Sequence, residues 1–130
     1  MWEQRIEIRW RDVGRARRVA EAVYLTYLET VRTRWLERVL GDGSSPFDFV
    51  LARVAIDYRR GLTLDDGVAV ATCRVERIGR SSIGTVEEIR TVDGELAAAA
   101  EAVIVAWNHA DGTSRPLTVG ERERLERVSA

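Results

Sequence analysis

The sequence predicts an α+β protein in which an antiparallel sheet curves around one long helix, with a short helix at the C-terminus. One long segment has the three- and four-residue spacing of apolar residues that is typical of an amphipathic helix. Several other segments alternate apolar and polar residues, which is the period of half-buried strands. An Asp-Gly pair between two of them is typical of a tight hairpin, so neighbouring strands are expected to run antiparallel. A length of 130 residues fits a single domain, residues 1–130.

The first strand is predicted over Glu3–Trp10, where charged residues alternate with apolar residues such as Ile6 and Ile8. The following segment, Arg11–Val19, is rich in arginine, contains Gly14 and has no useful period. We therefore expect a loop between the first strand and the long helix.

The long helix is predicted over Ala20–Leu40, a segment without Gly or Pro. Its apolar positions are Val23, Tyr24, Tyr27, Leu28, Val31, Trp35 and Val39. The stripe is wide and rich in aromatic residues, as expected of a helix that a sheet surrounds on several sides. Gly41-Asp42-Gly43 supplies the stop.

Four further segments are predicted as strands: Val50–Tyr58, Gly67–Ile78, Ser82–Val92 and Glu95–Trp107. The last is rich in alanine and has high helix propensity, but the preceding Asp93-Gly94 pair and its β-branched second half favour a strand. The charged segment Gly120–Val128 is predicted to be a short peripheral helix, anchored by Leu125 and Val128. A single sheet around a lone helix leaves a face or an edge uncovered, so a homodimer is expected.

Composition excludes several classes of function. Twenty basic and 21 acidic residues give a net charge of -1, so we expect neither nucleic acid nor an anionic membrane as a partner. Every basic residue is arginine, which excludes Schiff-base chemistry. One Cys and one His cannot form a disulfide or a Cys/His metal centre, and no cofactor is expected. The N-terminus lacks an apolar signal core, which predicts a cytoplasmic protein.

The string of residues 22–36 resembles the helix of a known family, A-V-Y-L-x-Y-x-E-x-x-R-x-x-W-L, without a gap. Weaker matches follow in the same order: Val54–Tyr58, Arg77–Ser82, and Asp93–Leu96 leading into Val103–Val105. From Ile6 to Leu125 the chain is similar to the 4-hydroxybenzoyl-CoA thioesterase-like branch of the hotdog superfamily. The resemblance implies a hotdog fold, in which a five-stranded antiparallel sheet wraps around the helix, and protomers that pair as dimers or as dimers of dimers.

The loop before the helix departs from that family. Its D-x-D-x-x-G-H-V-N-N pattern, whose second Asp acts on the thioester, reads here as D-V-G-R-A-R-R-V-A-E. Asp12 keeps the first Asp, whereas Gly14 replaces the catalytic one. Arg17 and Arg18 stand in place of the Gly and the His, and Glu21 in place of the last Asn. Thioester hydrolysis needs a carboxylate as nucleophile or base, which Gly14 cannot supply.

Two carboxylates are candidates for the missing catalytic group, Glu21 in the first turn of the helix and Asp12 in the loop. The backbone amides of Ala22 and Val23 are candidates for an oxyanion hole. The alternative is that Glu21 only complements the helix dipole and that Asp12 caps a turn or pairs with an arginine.

The resemblance also implies sites for coenzyme A, whose phosphates suit guanidinium groups. Candidates for substrate binding are Tyr24, Arg59, Arg77, Arg80, Ser81 and Ser82. The alternatives are that the arginines and serines are solvated turn residues and that Tyr24 belongs to the core. We expect a hydrolase that acts on an acyl thioester of coenzyme A or of an acyl carrier protein. A catalytically inactive hotdog domain that binds a ligand or assembles with partners remains the alternative.

Overall fold

A computed structural model describes residues 1–129 and confirms the predicted α+β class. The elements are β1 (Trp2–Glu7), α1 (Glu21–Leu40), β2 (Phe49–Tyr58), β3 (Val68–Ile78), β4 (Ser82–Thr91), β5 (Leu96–Asn108), β6 (Thr113–Ser114) and α2 (Val119–Ser129). Five long strands form one antiparallel sheet in the order β1-β3-β4-β5-β2, and the two-residue β6 pairs with the end of β5. No helix within residues 1–129 is long and apolar enough to cross a membrane.

The first strand is shorter than predicted, because β1 ends at Glu7 and Trp10–Asp12 form a 3-10 turn. The Asp12 carboxylate accepts a hydrogen bond from the Arg9 amide at 3.0 Å, and the Asp12 amide donates to the Arg9 carbonyl at 2.9 Å. These bonds close the turn and divert the chain from the sheet.

Helix α1 packs mainly against β1, β3 and β4 and provides most of the large side chains of the core. The alanine-rich segment is a strand, as predicted, and Gly94 adopts a φ of 93° in the hairpin before it. Buried positions on the core face of β5 recur at every second residue: Ala98, Ala100, Ala102, Ile104 and Ala106. Their period shows that burial within the sheet has overridden the helix propensity of alanine.

Helix α2 is held by one apolar anchor and by polar contacts. Leu125 is fully buried, but the prediction for Val128 is wrong, since that side chain is 48% exposed in the last turn. Glu121, one turn before Leu125, is buried and accepts hydrogen bonds from Arg115, Ser44 and the Thr118 amide. Burial alone raises the pKa of Glu121, but these bonds and the Arg115 charge outweigh it and lower the pKa to about 2.

Candidate functional site

A groove of about 620 Å³ lies where the start of α1 meets the end of β2. Its walls are the loop between Gly14 and Ala20, the first turn of α1 and the segment Tyr58–Gly61. The groove therefore contains Gly14, which the sequence resemblance aligns with the catalytic Asp of that family.

The backbone of the loop folds back on itself. The Gly14 amide donates to the Arg18 carbonyl at 2.8 Å, and the Arg17 amide donates to the Gly14 carbonyl at 3.1 Å. Arg17 has a φ of 61°, in the left-handed region that favours glycine, at the position where the resembled family has Gly. As a result Arg15 and Arg18 line the groove, whereas Arg17 does not.

Tyr24, in the first turn of α1, joins the helix to the opposite wall of the groove. Its buried hydroxyl accepts a hydrogen bond from the Leu62 amide at 2.8 Å and donates to the Arg60 carbonyl at 3.2 Å. Burial raises the pKa of Tyr24, so the hydroxyl stays protonated. The Tyr24 ring also packs edge-on against Tyr58, with centroids 5.2 Å apart. Tyr24 lines the groove, as the substrate-binding hypothesis requires. Its hydroxyl, however, is already bonded to the backbone of Arg60 and Leu62.

Asp12 is directed into the protein instead of the groove. Its carboxylate is buried and accepts hydrogen bonds from the Tyr27 hydroxyl at 2.8 Å and from the Arg9 backbone and guanidinium. Burial raises the pKa of Asp12, but these hydrogen bonds outweigh it, and the net pKa lies below the usual value. Asp12 does not line the groove. This geometry favours the alternative in which Asp12 caps a turn and pairs with an arginine.

Glu21 is the first residue of α1, and its exposed side chain lines the groove. The Tyr58 hydroxyl donates to the Glu21 carbonyl at 3.1 Å, which ties the first turn of α1 to the end of β2. Partial burial and then the Glu21 charge raise the pKa of Tyr58. The Glu21 carboxylate forms no ion pair or hydrogen bond within residues 1–129.

The start of α1 has no side-chain cap, because its N-cap residue is Ala20. The Val23 amide donates to the Ala20 carbonyl at 2.9 Å, so one of the two predicted oxyanion donors is already bonded. The Ala22 amide has no protein acceptor in the described part of the chain. One free amide therefore points out of the positive end of the helix beside Glu21.

The other predicted binding residues are divided between two places. Arg59 lines the groove, and the neighbouring Arg60 pairs with Asp66 and Glu95 at 3.1 and 2.7 Å. By contrast, Arg77, Arg80, Ser81 and Ser82 lie around the turn between β3 and β4, outside the groove. The carbonyls of this turn bind the C-terminal region, since Arg80 accepts from the Leu117 amide at 2.9 Å.

Three residues that line the groove were not among the predicted site residues: Arg15, Arg18 and Tyr58. The only signal in the sequence for the two arginines is the arginine-rich composition of the loop. A second groove of about 550 Å³ lies between the second half of α1 and the start of β2. Phe47, Phe49 and Leu51 form an apolar side of this second groove. Among residues 1–129 no three or more His, Cys, Asp or Glu side chains are grouped so that they could hold a metal ion.

Residues 18–98 match the model of a family described as the thioesterase superfamily. A thioesterase from Thermus thermophilus, solved with coenzyme A and Zn, is 31% identical with a TM-score of 0.87, covering 98% of this chain and 92% of that one. No curated protein matches the sequence.

Two more distant structures share the fold. A DHNA-CoA thioesterase from Staphylococcus aureus is 16% identical with a TM-score of 0.86, over 98% of this chain and 90% of that one. A hypothetical protein from the same organism, solved in complex with CoA, is 14% identical with a TM-score of 0.87, over 98% and 82%.

Proposed function

The chain belongs to the thioesterase superfamily, and on that premise we propose that it hydrolyses an acyl thioester of coenzyme A in the α1–β2 groove, with Glu21 as the general base. One observation carries the proposal: Glu21 is the only acidic side chain that lines the groove in the described part of the chain. The coenzyme A in the 31% identical thioesterase supports the choice of thiol. An acyl carrier protein is the alternative carrier.

The proposed reaction uses Glu21, which lines the groove, and the Ala22 amide, which follows it in the first turn of α1. Glu21 accepts a proton from a water molecule while the water oxygen attacks the thioester carbon. The negative charge that develops on the former carbonyl oxygen is stabilised by the free Ala22 amide and by the positive end of α1. The intermediate collapses by cleavage of the carbon–sulfur bond, and the departing thiolate takes the proton from Glu21. The products are a carboxylic acid and free coenzyme A.

Glu21→Gln is expected to lower kcat for acyl-CoA hydrolysis by about a hundredfold with little change in KM, because the amide keeps the shape but cannot accept the proton. Released thiol, measured across a panel of acyl-CoAs, checks this. Glu101→Gln, which removes an exposed carboxylate from β5, is the matched control and should behave as the unmodified protein. Equal rates for Glu21→Gln and the control would refute the assignment.

The replacement of the family Asp by Gly14 favours a second candidate, a hotdog domain that binds thioesters without hydrolysing them. Calorimetry separates the two candidates. Binding of acyl-CoA without release of thiol would support the binding module. The same panel, offered on an acyl carrier protein instead of coenzyme A, distinguishes the two carriers.

We also propose that two copies pair along β2. This strand lies at the end of the sheet, so its outer edge has no partner within residues 1–129. It is ten residues long, and Leu51 and Tyr58 expose large apolar side chains beside it. A long exposed edge of this kind readily accepts a second strand.

The charges of β2 favour one register. Arg53 and Asp57 are its only charged residues, and they lie on the same face of the strand. An antiparallel pair centred on Ala55 places Arg53 opposite Asp57 of the partner subunit, and the symmetry repeats this contact. In that register Arg59–Gly61 lie opposite Phe49–Leu51 of the partner subunit. The apolar side of the second groove of one protomer then covers the first groove of its partner. This contact helps to exclude bulk water from the site of reaction.

Arg53→Glu is expected to weaken the dimer by roughly ten- to a hundredfold, because two attractive contacts become repulsive at once. Sedimentation equilibrium measures the dissociation constant and also shows whether dimers pair further. The double variant Arg53→Glu/Asp57→Arg restores opposite charges and should restore dimerisation. A single variant as tightly paired as the unmodified protein would exclude this register.

A further inference from the structure

Three guanidinium groups in the groove lack a partner within residues 1–129. Arg15, Arg18 and Arg59 line the groove, and none of their side chains takes part in an ion pair or hydrogen bond within residues 1–129. Glu21 is the one acid among them, whereas Arg60 is already neutralised by Asp66 and Glu95. The groove thus has an excess of positive charge although the whole chain has a net charge of -1.

Arg18 is held in place by the opposite wall. Its backbone bridges to Thr63, and the next amide, that of Val19, donates to the Leu62 carbonyl at 2.8 Å. The side chain crosses Gly61 so closely that a Cβ added at Gly61 would lie 2.7 Å from Arg18 Cδ. Gly61 therefore leaves the space that the stem of Arg18 occupies. An arginine whose backbone and stem are held in this way loses less freedom on binding an anion than one that is free along its whole length.

The position of these arginines indicates which part of the substrate they meet. Glu21 lines the same groove, so the thioester carbon of the proposed reaction lies there. The phosphates of coenzyme A are separated from the thioester sulfur by the long pantetheine arm, whereas the acyl group begins at the reacting carbon itself. The guanidinium groups that share the groove with Glu21 are therefore positioned to bind an anionic group on the acyl part of the substrate.

We infer that the acyl group of the substrate carries a carboxylate, an inference that rests on the proposed function. Arg18 binds this carboxylate together with Arg15 and Arg59. Arginine is suited to this because its planar fork binds a carboxylate through two parallel hydrogen bonds. The substrate class is then the monothioesters of dicarboxylic acids.

The test compares glutaryl-CoA with valeryl-CoA, which have acyl chains of equal length and differ in the terminal carboxylate. After subtraction of uncatalysed hydrolysis, kcat/KM is expected to be roughly ten- to a hundredfold higher for glutaryl-CoA. Because both substrates carry the same coenzyme A, contacts to its phosphates cancel in this ratio. Arg18→Gln should reduce the ratio towards one, and Gly61→Ala, which displaces the Arg18 stem without removing charge, should reduce it partly. Arg17→Gln removes a charge from the same loop outside the groove and should leave the ratio unchanged.

A ratio near one in the unmodified protein would overturn the inference. So would an Arg18→Gln variant that loses affinity equally for both substrates and for free coenzyme A, since Arg18 would then bind a phosphate. If no acyl-CoA is hydrolysed, the proposed function fails, and the ratio of the two dissociation constants by calorimetry decides the inference in its place. Tighter binding of glutaryl-CoA that depends on Arg18 would support it, and equal binding would overturn it.

Discussion

Gly14→Asp is expected to raise kcat for acyl-CoA hydrolysis by roughly ten- to a hundredfold, because a positioned general base contributes about 10²–10⁴-fold and Glu21 already supplies about a hundredfold of this. The substitution places a carboxylate at the position where the sequence resemblance implies the catalytic Asp of the family. Glu21 supplies a carboxylate from the helix side of the groove, and the new acid adds a second base from the loop side. The gain is measured as thiol released per active site under saturating substrate.

The groove has room for this side chain. A Cβ added at Gly14 would lie 3.8 Å from the Arg18 carbonyl oxygen, an ordinary van der Waals contact, and Gly14 is not among the residues with positive φ. The substitution therefore requires no backbone strain. Arg15 and Arg18 line the same groove and favour the ionised form of a nearby carboxylate, which is the form that accepts a proton.

Two control variants separate catalysis from packing. Gly14→Asn has nearly the same shape as Gly14→Asp but cannot act as a base, so it should show no gain. Gly14→Asp/Glu21→Gln should keep most of the gain, because Asp at position 14 then acts alone. If Gly14→Asp folds normally and hydrolyses acyl-CoA no faster than the unmodified protein, the groove does not place the thioester beside Gly14.

The fold could be predicted because its signals are local. The spacing of apolar residues in α1 and the alternation in β2, β3 and β4 both arise from burial on one side of an element. The alanine-rich β5 was the harder case, since propensity and context disagree there. The Asp93-Gly94 pair correctly indicates a strand there, because a tight turn returns the chain along the preceding strand.

The site was less predictable because its contacts join residues that are distant in the chain. Asp12 is removed from the groove by the Tyr27 hydroxyl, 15 positions away, and no local pattern reveals that bond. The stem of Arg18 fits over Gly61, and the spacing of these residues along the chain carries no trace of that contact. Conversely, Arg77–Ser82 match the family in sequence but lie outside the groove within one protomer.

A buried ion pair connects α1 to the sheet, and sequence patterns gave no sign of it. Arg32 on α1 binds Glu87 on β4 through two hydrogen bonds of 2.8 Å each, and Thr85 Oγ1 donates to the same carboxylate at 2.7 Å. Both charged side chains are almost completely buried. The pair therefore ties the helix that carries Glu21 to the sheet.

Glu87→Ala is expected to lower the free energy of unfolding by about 3–5 kcal/mol, because it leaves the Arg32 charge buried without a partner. For a domain of ordinary stability this is a large fraction of the total. Urea denaturation followed by circular dichroism measures the loss. Glu101→Ala, at an exposed position of β5, serves as the control and should change stability by no more than about 0.5 kcal/mol.

The double variant Arg32→Met/Glu87→Leu distinguishes the cost of an unpaired charge from the cost of lost packing. Both replacements are apolar and of similar volume, so no buried charge remains, and most of the stability lost in Glu87→Ala should return. Glu87→Gln should fall between the two, since its amide still bonds to Arg32 and Thr85 but does not neutralise the guanidinium. If the double variant is as unstable as Glu87→Ala, the pair stabilises the fold through its shape and not through its charge. In that case α1 would depend on the packing around Arg32 to hold Glu21 in the groove.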